Sequence, residues 1–163
     1  MSAKRIAKMS MLVALAIIFS YIEFLVPINL GVPGIKLGLA NLVIVIALYT
    51  MNTVDVWLIS ILRILILGFM FGSGMSIIYS IAGAVLSLIV MCIIKRIKGF
   101  SIVGVSIAGG VCHNIGQVLV AMVVVETTGI LYYMPALLVA GVITGAIIGI
   151  VSKRVIAAVS KNH

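Results

Sequence analysis

The chain has 163 residues, of which 64% are hydrophobic and 9% charged. Three acidic residues cannot coat a soluble domain, so the composition excludes a globular aqueous protein and points to one polytopic membrane domain. The net charge of +8 would suggest nucleic acid in a soluble chain; here the basic residues flank apolar segments, which reads as membrane orientation and not as nucleic-acid binding.

The N-terminus opens with a basic cluster and an apolar run. No small-residue cleavage site ends that run, and further apolar segments follow, so it reads as a retained first helix, about Ile6 to Leu25. The loop VPINLGVPGIK, with Pro27 and Pro33, comes next. Helix 2 is expected at about Leu37 to Met51 and helix 3 at about Val54 to Phe71, both short for a span. Gly72-Ser73-Gly74 breaks the chain before helix 4, about Met75 to Ile94. The basic loop KRIKGFS leads to helix 5, about Ile102 to Val125. A polar turn, Glu126 to Gly129, precedes helix 6, about Tyr132 to Val151, with Pro135 in its first turn, where a missing N–H does no harm.

The charges orient this map. With a cytoplasmic N-terminus, the inner side receives Lys4, Arg5, Lys8, Lys95, Arg96, Lys98, Lys153, Arg154 and Lys161, nine of the eleven basic residues. Six spans with both termini cytoplasmic satisfy the positive-inside rule; five spans would put one basic cluster outside. The expected location is the cell membrane.

Small residues recur at helix-packing intervals: Gly141, Gly145 and Gly149 in helix 6; Gly104, Ala108 and Cys112 in helix 5; Ser76, Ser80, Gly83 and Ser87 in helix 4. Such stripes let backbones approach closely in lipid, within one chain or between two copies. Cys92 and Cys112 fall in different apolar segments and read as free thiols.

Ionisable and strongly polar groups inside an apolar bundle are costly and mark candidate sites. Arg63 lies about 12 Å from the inner end of helix 3 by the helical rise. It needs an internal partner or a ligand. His113, Asn114 and Gln117 cluster in helix 5 beside AGG and can line one side of a cavity with donors and acceptors. Glu23, Lys36, Asn41 and Tyr79 fall in the outer half, which suggests an outward-opening pocket covered by the first loop. Glu126 reads as interfacial charge, and Asp55 as an anion suited to the N-terminal dipole of helix 3.

There is no Walker motif, no Cys/His spacing for zinc, iron–sulfur or haem, and one aspartate in the whole chain, against the Asp-rich magnesium site a diphosphate substrate needs. Catalysis by this chain alone is not expected.

Three stretches together, KLGLANL, SILRILILGFMFGSGMSIIYSIAGAVLSL and SIVGVSIAGGVCHNIGQVLVA, resemble the Gx transporter family, whose members are often labelled heptaprenyl diphosphate synthase component I. The resemblance covers about Leu12 to Gly149 and extends to the substrate-binding S components of energy-coupling factor transporters. It implies an all-α, six-transmembrane-helix bundle that binds a vitamin- or cofactor-like solute on its outer side. It also implies energising partners, a transmembrane coupling protein and two ATPases, docked through a small-residue patch on helix 1. The matching positions are Ser10 and Ala14, with serine in place of the family's first alanine.

The expected ligand site is therefore Arg63, His113, Asn114, Gln117, Asn41, Tyr79, Glu23 and Lys36. Two alternatives stay open. One is a membrane subunit that holds a flavin or quinone and passes electrons. The other is a membrane partner of a prenyl diphosphate synthase.

Overall fold

The computed structural model describes residues 3–25 and 38–161. It contains six α-helices: α1 (Ala3–Leu25), α2 (Leu39–Thr50), α3 (Thr53–Phe71), α4 (Gly74–Arg96), α5 (Ile102–Val125) and α6 (Met134–Lys161), with a 3-10 turn at Thr128–Tyr133. No strand occurs among the described residues. Five of the helices are long and apolar enough to cross a membrane; α2, at 12 residues, is shorter.

The six elements fall where hydropathy puts them; helix 5 matches at both ends, the other boundaries agree to within three residues, and the end of helix 6 is the exception. Helix 6 continues to Lys161, past the expected end at Val151, because Ser152 keeps a buried face on the stripe that carries Gly145 and Gly149. The stretch expected to open helix 6 is a 3-10 turn, started by Thr127, whose hydroxyl accepts from the Gly129 N–H at 3.2 Å. Helix 2 begins at Leu39, after Gly38 in a left-handed conformation (φ 74°). The first loop, with Pro27, Pro33 and Lys36, lies outside the described residues.

α2 is the core of the bundle. Val43, Ile44, Val45, Ala47 and Leu48 are buried on all its sides, against Leu12 and Ala16 of α1, Val56 and Ile59 of α3, Leu88 and Met91 of α4, and Ile148 of α6. A helix apolar all round must be covered all round. The other helices turn large apolar side chains outward, with Phe69 at 80% and Val123 at 77% exposure. Apolar area on that scale requires a bilayer as solvent.

The helices alternate in direction. Arg5 of α1 binds Asp55 at the start of α3, and the Lys8 Nζ donates to the Thr50 carbonyl at the end of α2 (3.1 Å). Lys95 of α4 donates to the Leu48 carbonyl and lies 5.0 Å from the Tyr49 ring. Two lysines thus satisfy last-turn carbonyls of α2 and complement its negative end. On the far side, α4, α5 and α6 pack backbone to backbone, antiparallel. Gly83 meets His113, Gly110 meets Gly141, and Gly149 meets Val103.

Candidate functional site

The buried stripe of α3 runs Asp55, Val56, Ile59, Ser60, Arg63 and Ile64. Its period carries both charged residues of the helix onto the core-facing side. Asp55 meets Arg5 in a two-pronged ion pair, Nε to Oδ2 at 2.9 Å and Nη2 to Oδ1 at 2.7 Å. This pair was not legible in the sequence, where Asp55 reads as a dipole partner. The one available signal was that a lone aspartate among apolar residues must find a cation.

Arg63, two turns deeper, is far less well served. Its Nη2 donates to the Asn41 Oδ1 at 3.4 Å, a long bond, and its buried Nε has no hydrogen-bond partner among the described residues. Glu23 of α1 acts on it electrostatically, but not at ion-pair distance; among the described residues, Arg5 and Asp55 form such a pair. The Glu23 carboxylate instead accepts the backbone N–H of Gly38, at the entrance to α2. Three helices therefore bring Glu23, Asn41 and Arg63 around the N-terminus of α2.

Asn41 also borders a small cavity of about 20 Å³, whose other polar walls are Ser87, Ser106 and Thr144 from α4, α5 and α6. That volume suits a single water. The Thr144 hydroxyl is engaged with the Ala140 carbonyl at 2.8 Å, while Ser87 and Ser106 are buried.

The polar residues of α5 occupy a second region. His113 packs against Gly83 of α4, where an added Cβ would come within 2.9 Å of its Nδ1. Asn114 turns the other way and donates to the Leu137 carbonyl of α6 at 2.7 Å. Adjacent helical residues point about 100° apart, so the two serve different neighbours instead of one wall. Gln117 and Tyr79 are half-buried on α5 and α4. Lys36 lies outside the described residues. Ser10 and Ala14 are exposed on α1, while Leu12 and Ala16 of the same helix are buried in the core.

The small-residue stripe of helix 5 also differs from expectation. The close contacts of the glycines use Ser106 and Gly110 toward α6 and Gly109 and Gly116 toward α4, whereas Gly104 of the expected stripe faces Phe100 and Ser101 just before its own helix. So many small residues occupy this helix that several stripes fit it equally, and only the neighbours select the phase.

The sequence model of a family described as heptaprenyl diphosphate synthase component I matches residues 12–155. The chain belongs to this family, the Gx transporter family. The match runs from the core residue Leu12 through all six helices into the last turns of α6. No curated protein matches the chain, and no solved structure does. Its long apolar helices and its family make it a multi-pass membrane protein.

Proposed function

We propose that the chain is the substrate-binding subunit of a membrane transporter, with an outward-opening pocket for a vitamin- or cofactor-like solute. The observation that carries this is Arg63: a guanidinium deep in a membrane helix, buried, with one N–H unpartnered among the described residues and one weakly bonded. Such a group left unsatisfied is costly, and a ligand that satisfies it repays that cost on binding. In this reading Arg63 holds an acceptor or anionic part of the solute, and Asn41 and Glu23 flank it. His113, Asn114, Gln117 and Tyr79 shape and orient the site from the α4–α5–α6 side, and Lys36 stands near the mouth.

Both termini lie in the cytoplasm in this reading, since nine of eleven basic residues belong to one end of the alternating helices. The exposed Ser10–Ala14 face of α1 is the docking surface for a coupling protein with its ATPases. Any ATP hydrolysis or prenyl transfer belongs to partner proteins. The only aspartate of the chain is already held by two hydrogen bonds from Arg5, which leaves it poorly placed to bind magnesium.

The test is mass spectrometry and an absorbance spectrum of the small molecule that co-purifies with the full chain in mild detergent. The expected result is an organic solute that is lost on Arg63→Ala. A flavin or quinone that cycles between oxidised and reduced forms in place would make the chain an electron-transfer subunit instead. Activation of a separately encoded prenyltransferase by a chain with an empty pocket would make it a membrane anchor.

A further inference from the structure

We propose that the N-terminus of α2 and Arg63 together form a carboxylate-binding site, and that Glu23 is a built-in occupant which the solute's carboxylate displaces. The inference rests on the solute-binding reading above and names the chemistry of its ligand.

The first turn of a helix offers backbone N–H groups with no partner inside the helix, and the positive end of its dipole. In α2 this turn is inside the bundle. Twelve residues rise about 18 Å, and the other end of α2 is fixed by Lys8 and Lys95 at the basic end of the molecule. The start of α2 therefore lies within a hydrocarbon core of about 30 Å, too deep for a lipid headgroup to be its ordinary occupant. Gly38 is packed there, with room for no more than a tight contact to the Ile148 side chain if it carried a Cβ (3.1 Å).

The second observation is Arg63. It is 91% buried by its 9% exposure, its Nε has no partner among the described residues, and its Nη2 points at Asn41 in the first turn of α2. The helix terminus and the guanidinium thus converge on one place. Glu23 shows which group the terminus accepts, because its carboxylate takes the Gly38 N–H. Yet Glu23 does not reach Arg63 at contact distance, so it serves only half of the site. A free carboxylate is not tethered to α1 and can bond both the α2 terminus and the guanidinium. Glu23 lies in the last turn of α1 and is half-buried, so a change of rotamer carries it toward the outer rim. One carboxylate replaces another, and the local charge is unchanged.

The experiment is thermal unfolding of the full chain in mild detergent, titrated with butyrate and, separately, with the uncharged isostere butyramide. Butyrate is expected to raise the unfolding temperature saturably and butyramide to leave it unmoved. Glu23→Gln removes the competing charge and is expected to tighten butyrate binding about tenfold, the equivalent of one charge-assisted hydrogen bond. Glu23→Ala removes the competing acceptor as well and should shift affinity the same way, so either variant carries the test if the other does not fold. Arg63→Gln is expected to lose the response. Equal stabilisation by butyramide, affinity unchanged or weakened in the Glu23 variants, a full response in Arg63→Gln, or no response in any variant would each overturn the proposal. A co-purifying solute lost from Arg63→Gln but indifferent to Glu23 would remove this inference alone and leave the transporter-subunit reading standing.

Discussion

The helices α1 to α3 meet through charged and polar side chains: Arg5 on Asp55, Lys8 on the end of α2, Glu23 on its start, and Arg63 on Asn41. The helices α4 to α6 meet through the absence of side chains. An added Cβ at Gly145 would lie 2.7 Å from the Ile107 Cα, and one at Gly149 would lie 2.6 Å from the Val103 Cα. The difference matters because the two kinds of contact respond differently to change. A side-chain bond can be exchanged for another partner, including a ligand. A backbone-to-backbone contact in a close-packed interface cannot shift without moving a helix. The polar half is thus suited to binding and rearrangement, and the glycine-packed half to holding the frame.

The largest effect expected from this contrast is at Gly145. Gly145→Ala should cost about 3 kcal/mol by overpacking, and Gly145→Val should yield no monodisperse protein on size-exclusion chromatography in detergent. A Gly145→Ala protein as stable as the wild type would show that α5 and α6 are not in backbone contact. Next comes Arg5→Ala, which takes two hydrogen bonds from the buried carboxylate of Asp55. The melting temperature should fall, and the double variant Arg5→Ala/Asp55→Ala should recover part of the loss, because removing Arg5 alone leaves the buried Asp55 carboxylate without those two bonds. Additive losses in that cycle would mean that the two residues are not coupled.

Asn114→Ala tests whether a side-chain bond also helps the glycine-packed half. Loss of its bond to the Leu137 carbonyl should cost about 1 kcal/mol, read from unfolding in detergent. The smallest effect is at Glu126, which ends α5 in a left-handed conformation with φ 50°. Glycine adopts that conformation without crowding a Cβ, so Glu126→Gly should raise stability by about 0.5 kcal/mol. Unchanged or lower stability would indicate that the carboxylate itself supports the turn.

Within the site, the residues that could be read in advance were those whose type is expensive in a membrane. Arg63, His113, Asn114 and Glu23 stand out in any apolar sequence. Their grouping could not be read. Arg63 joins Asn41 and Glu23, residues 22 and 40 positions away, because α1 and α3 both flank α2. His113 and Asn114 are neighbours in the chain and part company in space, toward α4 and α6.

Sequence alone determined that this is a membrane bundle of six helices, and that the basic residues gather at the start of α1, between α4 and α5, and toward the end of α6. Both follow from local properties: the cost of exposing backbone polar groups to lipid, and the placement of lysine and arginine at span ends. The partner of Asp55, the phase of the small-residue contacts on α5, and the burial of the start of α2 were decided by tertiary structure. Each depends on which helix lies alongside, and helical periodicity leaves several faces open until a neighbour occupies one of them.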